Sequence, residues 1–220
     1  MNSPIVQLLV LAAIAIFLIL RLRSVLGSRE GFEKPPVPLP ESPVRRGRPE
    51  LEVIEGRPDR DITDHVSENS DPARALSAMK AADPSFVVGD FLQGARAAYE
   101  MILMAFERGD LATVKPFLSP DVYNAFAQVV EERHAKGYKV EATFVGLSEL
   151  ALRDATFDPS TREAEVSVRF VGELTSVVRD SAGEVVEGSP TAIRRQRDVW
   201  TFSHTMGSSD PNWILVATSE

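Results

Sequence analysis

From Ile5 to Leu20 every residue except Gln7 is apolar, no charged side chain precedes the run, and Arg21, Arg23 and Arg29 follow it at once. With Met1 to Pro4 and Leu22 included, the stretch approaches the ~20 residues that a helix needs to cross a ~30 Å hydrocarbon core, and arginines at its end can snorkel to the headgroups. Residues 1–26 therefore read as one transmembrane anchor, with Ile5, Leu9, Ile14, Phe17 and Leu20 in the apolar span and Arg21 and Arg23 at its boundary. Basic residues beside a span favour the cytoplasmic side, so the N-terminus is expected outside and the rest of the chain in the cytoplasm. A cleaved secretory signal would need a basic residue before the run and a small-x-small site after it. Asn2 and Ser3 stand before, and Arg21-Leu22-Arg23 after.

Residues 27–70 offer little to bury. Pro35-Pro36, Pro38, Pro40, Pro43, Pro49 and Pro58 interrupt any helical or strand period among charges of both signs. Such a segment cannot offset its ordering entropy, and a disordered linker is expected. Arg45-Arg46-Gly47-Arg48 is a basic island within it, compensated by Glu50, Glu52 and Glu55. The absence of cysteine excludes disulfides and thiolate metal sites. A net charge of −8 and a pI near 5.1 argue against nucleic-acid partners, which need a basic surface.

Residues 71–220 carry the periodic pattern of one folded domain. Asp71-Pro72 and Asp83-Pro84 each read as a helix start, with a capping carboxylate before proline. Asp90 to Gln93 has capping-box spacing, and Phe91, Ala95, Ala98, Tyr99, Ile102 and Phe106 recur at helical spacing until Gly109. Met101, Leu103 and Met104 make that helix apolar nearly all round, which means burial on two sides or an exposed flank for a partner. Asp110 is expected to cap a short helix to Lys115. Ser119-Pro120-Asp121 starts another, running to about Lys136 and burying Val122, Phe126, Val129 and Val130, with Gly137 closing it.

After Gly137 the period changes from 3.6 to 2. Val140, Ala142 and Phe144 alternate with polar residues, a break is expected from Asp154 to Arg162, and Val166, Val168 and Phe170 alternate again. Val177-Val178 and Val185-Val186 flank a hairpin turn at Asp180 to Glu184. A last strand pair is expected over Ala192 to Thr205 and Asn212 to Thr218, with Trp200, Phe202 and His204 on one face. Helices first and an antiparallel meander after predict an α+β domain with helices packed on one face of a curved sheet.

Phe91-Leu92-Gln93-Gly94-Ala95, Ala105-Phe106 with Gly109-Asp110-Leu111, Val122-Tyr123 with Phe126, Phe157-Asp158, Trp200-Thr201-Phe202 and Asp210-Pro211-Asn212-Trp213-Ile214-Leu215 occur in an order and spacing that resembles the C-terminal, Tim forty-four-like domain of the import-motor anchor of the mitochondrial inner-membrane presequence translocase. The resemblance runs from about Pro84 to Thr218, and the short chain with its N-terminal anchor looks like a bacterial-type member. It implies a cone-shaped, nuclear-transport-factor-two-like fold: a curved antiparallel sheet wrapped by helices around a pocket. In function it implies tethering of machinery at a membrane.

Catalytic chemistry needs groups that converge. His65 falls in the linker, His134 near a helix C-terminus where it complements the dipole, and His204 at a strand end. Asp198 and His204 share a strand face but stand six residues apart, about 20 Å along the strand. No nucleophile triad, phosphate-binding loop or metal-ligand spacing occurs. No catalytic, cofactor or metal residues are therefore assigned. Phe91, Tyr99, Leu103, Phe117, Tyr123, Phe144, Trp200, His204 and Trp213 are the candidate pocket and partner residues. The expected function is a non-enzymatic adaptor at a bacterial inner membrane, single-pass, binding a protein partner or lipid and linked to protein translocation or membrane-protein biogenesis. Two alternatives stand beside it: a small-ligand binder or isomerase- or dehydratase-like enzyme using a buried carboxylate or His204, and a ribosome tether through Arg194, Arg195 and Arg197.

Overall fold

A computed structural model of the chain describes residues 59–219. The expected anchor, 1–26, and the linker up to Pro58 lie outside the described residues. Among the described residues no helix is long and apolar enough to cross a membrane.

The described residues open with a helix ahead of Asp71, where the first helix was expected. A four-residue helix, α1 (Arg60–Thr63), inserts Ile62 into the core, where it is only 3% exposed. The expectation of a linker through residue 70 overlooked Ile62 and also Val66, which packs against the same core. Helix α2 (Asp71–Ala82) follows, and its cap is Ser70, whose hydroxyl accepts from the Ala73 amide at 3.3 Å. Asp71 instead sits in the first turn. Asp83-Pro84 starts no helix. Asp83 closes α2, and its carboxylate accepts from the amide and hydroxyl of Ser85, making a local turn.

Helix α3 (Val88–Arg108) is the long apolar helix, and it starts two residues before Asp90. No side chain at its N-cap, Val87, accepts a hydrogen bond, so the expected Asp90–Gln93 capping box does not form. Gly109 ends it in the left-handed conformation, φ 74°. Asp110 caps no helix. The chain turns through Leu111 to Val114 into a single 3₁₀ turn, Lys115–Phe117, where Pro116 removes an amide donor. Helix α4 (Pro120–Ala135) is capped by Ser119, whose hydroxyl accepts from the Val122 amide. It buries Val122 and Val130, leaves Phe126 half-buried and exposes Val129.

Four strands, β1 (Lys139–Asp158), β2 (Glu163–Arg179), β3 (Val185–Thr205) and β4 (Ile214–Ser219), form one antiparallel meander in chain order. The break expected from Asp154 shrinks to the turn Pro159–Arg162, because a bulge at Leu152/Asp154 absorbs the slip in alternation and β1 continues. Further bulges at Phe144/Gly146 and Leu147/Glu149 bend the same strand. The hairpin turn Asp180–Glu184 occurs as expected, with Asp180 accepting from the amides of Ala182 and Glu184. Strand β3 is continuous from Val185, whereas two strands were expected. It holds register by looping out Pro190 to Ile193 opposite Thr175. That bulge interrupts the edge left free beyond β4 and so discourages edge-to-edge pairing.

One face of the sheet is buried and one is wet. Along β2, Ala164, Val166, Val168 and Phe170 are buried, while Glu163, Glu165 and Arg169 are exposed. The buried face and the helices share one apolar core containing Leu76, Met79, Tyr99, Ile102, Trp200 and Leu215. A parallel bridge from Leu118 to Leu215 joins the segment before α4 to β4.

Candidate functional site

Beside this core lies an open cleft of about 630 Å³. One wall is the flank of α3 that carries Asp90, Phe91, Gly94, Ala98 and Met101; the other carries Phe86, Phe202, Met206 and Trp213. Met101 is 41% exposed, so the helix that reads as apolar all round turns one flank to the cleft and not to the sheet.

The lead-in to β4 makes the second wall. Asp210 accepts from the backbone and side-chain amides of Asn212 at 3.0 and 2.7 Å, folding the loop so that Trp213 stands 4.6 Å from the Phe91 ring and 5.8 Å from Phe86, between centroids. Asp83 accepts from the Gly207 amide at 3.0 Å, tying the end of α2 to the loop after β3, and Arg162 in the β1–β2 turn donates to the Ala82 carbonyl at 2.6 Å. The bonds from the Ser85 hydroxyl and amide, then from Gly207, hold the Asp83 carboxyl below the ordinary range. His204 lies 5.2 Å from Trp213 between ring centroids, with Nδ1 3.0 Å from the Asn212 carbonyl oxygen.

Of the nine residues singled out in the sequence, Phe91, Phe117, His204 and Trp213 line this cleft. The other five do not reach it. Tyr99 and Leu103 follow Phe91 by eight and twelve residues, which at about 100° per residue turns them roughly 80° and 120° around the helix, toward the sheet. Tyr99, Leu103 and Trp200 are buried core. Phe144 packs edge-on against Tyr99 at 6.3 Å, and Tyr123 lies under the Lys115 ammonium at 5.0 Å. Phe86, Ala98 and Met206 are cleft residues not singled out as such in the sequence, since an apolar side chain beside a cavity has the same periodicity as one in a core.

Carboxylates near the cleft, Asp83 and Asp90, sit at its exposed rim. The buried acid is elsewhere. Asp198, 8% exposed, accepts from the Tyr99 hydroxyl at 2.6 Å and from the Gln196 amide at 3.1 Å. Burial, and then the bond to Asp198, push the Tyr99 phenol far above its usual value. Tyr99 stacks on Phe170 at 4.4 Å, and neither it nor Asp198 lines the cleft. Among the described residues no group of three His, Asp or Glu side chains is placed to hold a metal ion. The arginine cluster on β3 is partly neutralised, because Arg195 pairs with Glu173 at 2.8 Å.

Residues 72–220 match the family model described as the Tim44-like domain. The chain belongs to the Tim44-like family. The mitochondrial import inner membrane translocase subunit TIM44 of Mus musculus is 23% identical over 173 residues, covering 74% of this chain and 38% of that protein. The Homo sapiens subunit is 24% identical over the same coverage, and TIM44-1 of Arabidopsis thaliana 21% identical over 143 residues, 65% of this chain and 30% of the relative. This Tim44-like chain thus spans less than two fifths of the length of the relatives it matches. Among solved structures, the intermembrane-space region of the chloroplast protein ARC6 covers 58% of the chain and 94% of its own length at 14% identity and a TM-score of 0.41, a likeness too loose to carry an argument.

Proposed function

We propose that this Tim44-like chain is a non-enzymatic adaptor held at a membrane and linked to protein translocation, whose cone-like α+β domain takes an apolar segment of a protein partner, or a lipid chain, into the cleft beside α3. The observation that carries the reading is the cleft: about 630 Å³, walled by Met101, Phe91, Phe86 and Trp213, open to solvent, with its charged groups at the rim. Exposed apolar surface of this kind marks a binding site. Family membership supports the adaptor class, since the relatives are named as subunits of an import translocase. The anchor at residues 1–26 and the cytoplasmic orientation belong to the same proposal. They rest on the Ile5 to Leu20 run and its arginines, and they raise the effective concentration of membrane-proximal partners.

The pocket-enzyme reading is weaker because the buried carboxylate, Asp198, is engaged by Tyr99 away from the cleft. Ribosome binding would need a basic face, and Glu173 already neutralises Arg195. The experiment is in-cell photocrosslinking from a reactive residue at Met101, with a probe at Glu165 on the wet sheet face as control. Specific adducts with membrane or translocation proteins from Met101 alone are expected. Equal labelling from both positions overturns the cleft as the docking site. A second arm removes residues 1–26 and should abolish enrichment of those partners at the membrane; unchanged enrichment overturns the tether.

A further inference from the structure

The start of α3 is held by a residue far from it in the chain. The Asp61 carboxylate accepts from the Val88 amide at 2.8 Å and from the Gly89 amide at 3.0 Å, across 27 and 28 residues of sequence. The first amides of a helix have no partner within it, and a side-chain acceptor there normally comes from the N-cap residue. Val87 supplies none, so the cap for two of these donors comes from α1. The same carboxylate accepts from Lys80 of α2 at 2.8 Å, and Lys80 also reaches Asp59 at 2.6 Å. Ile62 anchors α1 in the core beside it.

The residues so capped open the cleft wall. Val87, Asp90 and Phe91 line it, and the Phe91 ring meets three others: Trp213 at 4.6 Å, Phe202 at 6.0 Å and Phe86 at 6.3 Å. A first turn that frays carries Phe91 with it and loosens both walls at once. We propose that Asp61 is a positioning residue for the cleft, a long-range cap that fixes the first turn of α3 and thereby holds Phe91 under Trp213. The strap that carries it, Asp59 to Val66, lies ahead of residues 72–220, the stretch that matches the family model. The proposal deepens the adaptor reading and rests on it for the cleft's role in binding, but its test does not require a partner.

The chain has two tryptophans, Trp200 in the core and Trp213 in the cleft, so 5-fluorotryptophan labelling gives one reporter for each. In the full chain, Asp61→Ala should raise amide hydrogen exchange at Val88 and Gly89 by roughly fivefold or more. It should also shift or broaden the Trp213 fluorine resonance while leaving Trp200 unchanged. Asp61→Asn keeps one oxygen acceptor, so one of the two amides should remain protected and the Trp213 shift should be smaller. Lys80→Met removes the ion pair but not the cap, and should leave both readouts as in the parent chain. Equal exchange at Val88 and Gly89 in the Asp, Asn and Ala forms overturns the proposal, as does an unmoved Trp213 resonance or a Lys80→Met response that matches Asp61→Ala. Should Asp61→Ala fail to fold, the Asn and Met variants decide the question alone. Loss of crosslinking at Met101 in the parent chain would sink the adaptor reading while leaving these readouts, and the cap, intact.

Discussion

Replacing Tyr99 by Phe removes a single oxygen from the middle of the core. The hydroxyl donates to Asp198 at 2.6 Å, and Tyr99 has no exposed surface. A hydrogen bond to a charged acceptor nets about 1.5–3 kcal/mol. Asp198 would keep the Gln196 amide at 3.1 Å on one oxygen and lose its partner on the other, in a residue only 8% exposed, which places the cost in the upper part of that range. For a domain of this size about 2–3 kcal/mol corresponds to a fall in the thermal midpoint of roughly 5–10 °C. Gly172 completes the argument, because a Cβ there would lie 2.7 Å from the Tyr99 hydroxyl oxygen and 3.1 Å from Cε1. Gly172→Ala should therefore cost about 1–3 kcal/mol by overpacking. Part of that penalty should vanish in the Tyr99→Phe background, where the nearest atom is gone. Chemical denaturation of the four proteins of the cycle should give a coupling above about 0.5 kcal/mol. A Tyr99→Phe cost below about 0.5 kcal/mol, or strict additivity with Gly172→Ala, would refute the account of a satisfied core acid threaded past a glycine.

Other outcomes follow from the same geometry. Burial alone would raise the Asp61 carboxyl, but the bonds from Lys80, Val88 and Gly89 hold it below its usual 3.8, and Asp83 is lowered too. Their contribution is thus fully present above pH 3.8 and lost as pH falls further, so a thermal-midpoint titration should drop on the acid side, and less steeply for Asp61→Asn. Lys80 is raised above 10.5 by its two carboxylates despite the opposing effect of burial, so its share should be lost only as pH rises past that value. Gly188→Ala should destabilise the β2–β3 hairpin, since its φ is 79° and a Cβ would collide with the Ser176 carbonyl oxygen; raised amide exchange confined to Val177 and its neighbours is the expected readout. Met101→Glu should abolish co-purification of the partner from solubilised membranes with a stability change within about 0.5 kcal/mol, because the side chain is partly exposed and its loss opens no core cavity; retained partner capture would count against the cleft.

Periodicity carried the class of fold. The change of hydrophobic period at Gly137 separates helices from strands, Gly109 and Gly137 end helices at positive φ, and the alternation of Val166, Val168 and Phe170 names the buried face of β2. These are local facts: the chain's own neighbours within a few residues set dihedral preference and the direction of each side chain, and the order of elements then leaves an α+β meander as the economical packing. The Phe91, Phe117, His204 and Trp213 members of the cleft were legible for the same reason, as apolar or aromatic residues at element ends.

What tertiary structure alone decided is what depends on residues distant in sequence. Whether Tyr99 faces the cleft or the sheet is settled by how α3 is rotated against β2 and β3, and a helix apolar all round has no pattern that fixes its rotation. Asp61 caps a helix 27 residues later, so the local capping signals at Asp83 and Asp90, real as propensities, lost to a partner brought in by packing. Asp198 in sequence is one more acid on an exposed-looking strand beside three arginines. Only the register that sets it opposite Phe170 brings it to the Tyr99 hydroxyl, and hydrogen bonding there is what allows a carboxylate to be buried at all.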